Sequence, residues 1–349
     1  MDIQNHYYGH SAAFAHHCGM NRIHHIPGLV QHGWTVKSPV LAQFADFNDR
    51  GANRKRLVWT SASRGYSPEG PENLFPDGSS MITAVGAPFL YLQKAVQDKG
   101  GLPDRTLGPL VLPLHGTALV KVSGDHDGFA QEVLRRDGPA TVCLHIEDLE
   151  HPEIYSAWTD AGHHVISAGD RRDPQFLGRI LWMMASAQKV VSNRMSTALL
   201  YAAAAGADVE IYGPDFQLGQ NAETDPGLRM RELWPEFYEA SPDNAELKRI
   251  ADLELGVQDM KSPDELKSLL GWNSPSFGAF WDYWASGPLE KAQAVLGLRK
   301  RPEGAHSGEA GLSPIHFLRH PLKHLPSPLP KLTPAVAVEA VRLKESGRL

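Results

Sequence analysis

Short apolar runs recur along this chain, each closed by Gly, Pro, His or a polar turn and followed by a longer stretch with helical spacing. They fall at 28–31 (GLVQ), 56–59 (RLVW), 81–85 (MITAV), 109–114 (PLVLPL), 140–144 (ATVCL), 164–167 (HVIS), 189–192 (KVVS) and 209–212 (VEIY). A strand that is apolar on both alternating faces must be covered on both, which is the condition of a parallel sheet held between helices. The stretches 89–98, 128–136, 152–161, 174–187 and 195–205 supply those helices. The expected fold is therefore α/β, with two Rossmann-like domains and parallel sheets. A chain of 349 residues, 42% of them hydrophobic, can bury both cores.

The polar segments GDHDG and RRDGP, near 124–137, place the expected boundary. The first domain is read as 1–127, the second as 128–290, and 291–349 as a Pro-rich basic tail. The region from 216 to 290 reads as mostly helical, with aromatics such as Trp234, Phe237, Trp272 and Trp281. These pack a core or, alternatively, form an acceptor platform. The tail has too many prolines and charges for a packed element before about Ala335. Its Arg, Lys and His residues could touch anionic head groups, a solvated tail being the alternative.

Composition removes several classes. Asp and Glu outnumber Lys and Arg by 40 to 34, against the basic excess of a nucleic-acid binder. Cys18 and Cys143 stand far apart without a ligand pattern, so neither a disulfide framework nor a zinc site is expected. The beginning of the chain lacks a basic segment followed by an apolar run, and no apolar stretch is long enough to span a bilayer. The expectation is a cytoplasmic protein, with the inner face of the membrane as a further site of action and a homo-oligomer left open. No GxGxxG or GxxxxGK[ST] is present, which disfavours NAD enzymes and P-loop NTPases.

The most informative chemistry lies in KVVSNRMSTALLYAAAAGADVEIYGPDF, from 189 to 216, which reads as a complete βαβ unit. Ser192, Asn193, Arg194, Ser196 and Thr197 sit where the first strand feeds the helix, so hydroxyls and backbone N–H groups converge on the positive end of its dipole. Such a turn holds phosphate or, alternatively, only caps the helix. The alanines after it let the helix lie close on the sheet, and Gly206 ends it.

This unit resembles the donor-binding segment of CDP-glycerol glycerophosphotransferases and related GT-B capsule and lipopolysaccharide transferases. The QHGW segment at 31–34 is similar to the His-Gly turn of their first domain, VGAPFLYL at 85–92 to a strand, Gly-x-Pro turn and helix, and LVLPLHGT at 110–117 to the strand leading into their second domain. The resemblance covers 23–215 in order. It departs at 193–196, where Asn193, Arg194, Met195 and Ser196 replace Asp-Tyr-Ser-Ser.

The resemblance implies transfer from a nucleotide-activated donor (CMP-, CDP- or UDP-linked) to a glycan or surface polysaccharide, without a cofactor. An acceptor hydroxyl must lose a proton as it attacks, and His32, between a strand and Gly33, stands where open α/β sheets bind ligands. The resemblance implies the same base. A histidine packed under Trp34 or paired with a carboxylate is the alternative. His115, His145 and His151 follow strand ends and could collect the donor phosphate, as could Arg194. The HPE at 151–153 is similar to the His-Pro motif of bacterial GT-B sialyltransferases, although Pro152 opening a helix explains it equally. Glu147 and Asp148 could hold a ribose or an acceptor, and are otherwise solvated loop charges; Gly33 is read with them as substrate-binding.

No metal is expected. Asp125, His126 and Asp127 precede a helix and read as a cap, and the histidine pairs at 16–17, 24–25 and 163–164 are adjacent residues that do not share a face. A polyol-phosphate transferase, a sugar-nucleotide epimerase or hydrolase, and a non-catalytic scaffold of polysaccharide assembly remain alternatives.

Overall fold

The computed structural model describes residues 7–43 apart from 25 and 27, 55–66, 81–116, 122–219 apart from 172, 226–273, scattered positions from 289 to 298, and 327–332. Its elements begin with helix α1 (His10–His17), strands β1 (Arg22–Ile23) and β2 (Leu29–Val30), and α2 (Pro39–Ala42). Then come β3 (Arg56–Val58), β4 (Ile82–Ala84), α3 (Pro88–Gln97), β5 (Leu110–Val111) and β6 (Val122–Ser123). The next are α4 (His126–Asp137), β7 (Thr141–Cys143), α5 (Pro152–Asp160), β8 (His164–Ile166), α6 (Phe176–Ser186) and β9 (Lys189–Ser192). The remainder are α7 (Thr197–Ala204), β10 (Asp208–Ile211), β11 (Gln217–Leu218), α8 (Gly227–Leu233), α9 (Asn244–Leu255), α10 (Pro263–Leu269) and β12 (Ser327–Pro328).

Two parallel sheets organise the chain, so the α/β expectation holds. One has the order β2-β3-β4, with Leu29 opposite Arg56 and Leu57 opposite Thr83. The other has the order β10-β9-β5-β7-β8, with Leu110 between Val190 and Thr141. From β5 the chain builds outward through β7 and β8, then returns to lay β9 and β10 on the other side. Strand order therefore reverses beside β5, and ligands of open α/β sheets bind at such a point, outside the carboxyl ends.

Each apolar run of the sequence forms a strand. The central ones, such as Val111, Val142 and Val190, are fully buried, as a sheet covered on both faces requires. The alanines Ala202, Ala203 and Ala204 of α7 are buried against the sheet, and Gly206, at φ +79°, closes the helix in the left-handed region. Asp125 caps α4, its Oδ1 accepting the Gly128 N–H at 2.8 Å. One apolar cluster joins the two sheets, running from Trp34, Trp59 and Phe89 to Leu110, Val190 and Leu199. Within it the rings of Phe89 and Tyr201 stack at 4.2 Å and tie α3 to α7, an arrangement worth about 0.5–1.5 kcal/mol beyond the area buried.

Three features differ from the sequence expectation. The chain changes sheet between β4 and β5, upstream of the change expected at 127/128, because Leu110–Val111 completes the centre of the second sheet. Helix α1 has no counterpart in the expectation, its apolar residues being small rather than periodic. Part of the tail is packed: Ser327–Pro328 pairs antiparallel with Arg22–Ile23, and Leu332 lies against the main core. A two-stranded edge tolerates the missing N–H of Pro328. The tail from 299 to 326 and beyond 332, and Phe277 to Trp284 of the aromatic region, lie outside the described residues, whereas Trp234 and Phe237 are core. Among the described residues no helix is long and apolar enough to cross a membrane.

Helix α9 belongs to both halves. It packs on α7, and at its end the Leu255 carbonyl accepts the Ala87 N–H, just after β4, at 2.8 Å. Gly256 follows at φ +77°, where a Cβ would stand 2.0 Å from the Trp59 carbonyl oxygen. Only glycine allows that approach.

Candidate functional site

A cavity of about 350 Å³ opens at the carboxyl ends of both sheets. From the first sheet it takes the turn after β2, with His32, Gly33 and Trp34. From the second it takes the residues after β5, β7 and β8, and the start of α7 after β9. It thus covers the point where strand order reverses.

The turn after β2 is fixed by amides. Gln31 Nε2 and Gln43 Nε2 donate to the Gly33 carbonyl at 2.9 and 2.8 Å, and Gln43 Oε1 accepts the His32 N–H at 3.0 Å. Gln31 also accepts the Trp59 N–H through Oε1 and its indole N–H through the main-chain carbonyl, at 2.8 and 2.9 Å. The His32 ring is half-buried, its centre 6.1 Å from that of the Tyr7 ring in an edge-to-face arrangement. A side chain on so constrained a turn keeps its place without help from substrate.

Across the cavity, Ser196 is the N-cap of α7, and its side chain makes no capping hydrogen bond. Thr197 Oγ1 accepts the Trp34 main-chain N–H at 3.0 Å. The rings of His115 and His145 stack in parallel at 4.4 Å. Burial, with His115 and Arg171 nearby, pushes the His145 imidazole down to about 3, and its buried Nε2 has no hydrogen-bond partner among the described residues. A neutral imidazole keeps one N–H to donate.

Thus His32, Gly33, His115, His145, Ser196 and Thr197 meet in one lining. The remaining candidates stand outside it. Ser192 Oγ donates to the Leu112 carbonyl at 2.6 Å, and Asn193 bridges Leu114 N and the Pro214 carbonyl at 2.9 and 3.0 Å. Arg194 is buried, with Nη1 donating to the Phe216 carbonyl at 3.4 Å. These three hold the strand ends that carry the site. His151 precedes Pro152, exposed, with Nδ1 3.4 Å from Glu153 Oε1. Glu147 and Asp148 lie in the turn after β7, where the Glu147 N–H donates to His145 Nδ1 at 3.4 Å and burial raises the Asp148 carboxyl.

Sequence reasoning missed Tyr8, His10, Gln43, Phe176 and Tyr201, which also line the cavity. The only signal was Gly9, a turn residue ahead of the HSAAFAHH helix. No lysine, arginine, aspartate or glutamate among the described residues lines the cavity. Among the described residues no group of three or more His, Cys, Asp or Glu side chains is placed to hold a metal ion.

No protein-family model matches the chain, nor does any curated protein. It is similar in structure to a candidate UDP-N-acetylglucosamine 2-epimerase from Listeria monocytogenes, at 13% identity and a TM-score of 0.35, covering 74% of this chain and 73% of that one. A likeness so remote decides no activity.

Proposed function

We propose that this chain is a metal-independent, inverting transferase that moves a sugar from a nucleotide-activated donor to a hydroxyl of a glycan acceptor. One observation carries the reading: a single cavity, at the strand reversal beside β5, has His32 on one wall and the start of α7 with His115 and His145 on the other. In this reading the donor phosphate lies against Ser196 and Thr197, where the dipole of α7 offers partial positive charge. His115 and His145 donate to its oxygens, and His32 takes the proton of the attacking hydroxyl as the glycosidic bond to phosphate breaks. Water excluded by the surrounding apolar wall strengthens each of these interactions.

The test is thermal unfolding with CMP, CDP, UDP, GDP and NAD, with and without EDTA, followed by turnover of the stabilising nucleotide's sugar conjugate. A ligand that binds only the folded chain raises its stability by mass action. Stabilisation by one pyrimidine nucleotide, insensitive to EDTA, is expected. His32→Ala should keep that stabilisation while turnover falls about 10²–10⁴-fold. Turnover without any acceptor would replace transfer by hydrolysis or epimerisation, and no stabilisation at millimolar nucleotide would remove the donor site altogether.

A further inference from the structure

Helix α1 enters the cavity wall through an unusual backbone. Tyr8, at φ +56°, is the one non-glycine residue among those described with positive φ, and Gly9 follows at φ +75°. A Cβ on Gly9 would stand 2.5 Å from the Pro174 carbonyl oxygen, so the chain is pressed against the segment leading into α6. A non-glycine residue held in the left-handed region costs free energy, and such costs gather where side chains must be presented in one place. Here the side chains presented are Tyr8 and His10, both lining the cavity.

His10 is only 1% exposed, and its Nδ1 has no hydrogen-bond partner among the described residues. Buried polar atoms are almost always satisfied, so an orphan asks for an occupant. The ring lies between Tyr8 and Trp59, at 5.9 and 6.0 Å, and within electrostatic reach of His32. Burial drives its imidazole down to about 3, so the ring is neutral at ordinary pH. A neutral imidazole has one N–H and one lone pair, so a hydroxyl, which both donates and accepts, can meet its free nitrogen in either tautomer. Phe176, Tyr201 and Trp34 form the wall nearby, with the Arg171 guanidinium held against the Tyr8 side chain. Aromatic faces and one unpaired neutral nitrogen suit an uncharged ring or chain that carries hydroxyls.

We propose that His10 is a substrate-binding residue, its Nδ1 hydrogen-bonding a hydroxyl of the uncharged sugar or polyol part of the substrate. The inference rests on the cavity's being the donor site proposed above, and separates its parts: phosphate at the start of α7, neutral hydroxylated group at the start of α1.

Calorimetric titration tests it with UDP against UDP-glucose and CDP against CDP-glycerol, on wild type, His10→Phe and His10→Asn. His10→Phe keeps an aromatic ring and removes the nitrogen, and His10→Asn puts an amide near the place of Nδ1. The expected result is that one conjugate binds more tightly than its nucleotide, and that His10→Phe weakens the conjugate about tenfold. The same substitution should leave the nucleotide unchanged, and His10→Asn should restore part of the loss. A full preference for the conjugate in His10→Phe, or none in wild type, overturns the subsite while nucleotide binding preserves the donor site. Failure of wild type to bind any of the four overturns both. Should His10→Phe not fold, the imidazole nitrogens of His10 in wild type carry the test: they must shift on adding the conjugate and stay in place on adding the nucleotide.

Discussion

The main-chain N–H of Trp34 donates to Thr197 Oγ1 at 3.0 Å, across 163 residues of sequence. It joins the turn that bears His32 to the first residue of α7, so one hydroxyl sets the separation of the two cavity walls. Thr197→Val keeps the shape and removes the acceptor, leaving a half-buried N–H unpaired at about 1–3 kcal/mol. Urea unfolding should show a loss of that size, and stabilisation by nucleotide should weaken with it. Thr197→Ser should restore both. A Thr197→Val chain as stable and as responsive as wild type would show that the hydroxyl does not hold the walls together.

Glu254, in α9, is fully buried and carries four donors. The Trp34 and Trp234 indole N–H groups and the Arg64 N–H each lie at 3.0 Å, and Ser63 Oγ at 2.5 Å. It therefore seats Trp34 from below while Thr197 seats it from the side. Glu254→Ala strands all of these donors, and the expected cost is about 3–5 kcal/mol, because four donors lose the carboxylate that accepts them. Glu254→Gln keeps the acceptor oxygen but sets an NH2 against two of the donors, and should fall between. Guanidinium unfolding of the three chains gives the order, and an Ala variant no less stable than the Gln variant would refute the network.

How much of this was legible beforehand follows from the range of each cause. Runs such as KVVS and ATVCL carry their strand signal locally, and so does Gly206 as the end of α7, so the parallel sheets could be read. The turn at Ser196 and Thr197 and the His32–Gly33 pair were legible for the same reason, because each is a strand end followed by a polar turn. What the sequence hides is tertiary. Nothing local tells that Asn193 is spent between Leu114 and Pro214, that Glu254 lies under two indoles, or that His10 reaches the same cavity as Tyr201. The position of β5 shows the same limit: a strand's sheet is decided by its partners, not by the composition around it.

The thiols should be inert in the folded chain. Both Cys18 and Cys143 are free and buried, and burial pushes their thiols up from 9.0 to about 11 and about 12. Thiolate is the nucleophile, so two units remove about a hundredfold of reactive species at pH 8 before access is considered. Iodoacetamide at pH 8 should leave the native protein unmodified by mass and alkylate both residues in denaturant. Cys143 lines the cavity, so its fast native alkylation would mean that the cavity is far wetter than its wall implies.

Stability should fall in mild acid, and histidines are the reason. Burial holds His10 and His145 at about 3 and His16 at about 4, against an ordinary 6.5. In the unfolded chain these rings take protons near the ordinary value, while the folded chain resists. Their contribution is therefore complete above about pH 6.5 and is lost progressively as pH falls toward about 3. For His10, which is wholly buried, a drop from pH 7 to pH 5 should cost about 2 kcal/mol. The measurement is the urea midpoint at both pH values for wild type and His10→Phe, which has no proton to bind. The variant should lose less stability than wild type over that interval by about the His10 share, whatever its stability at pH 7. Equal losses would place His10 in contact with water, and with it the uncharged character of that end of the cavity would fall.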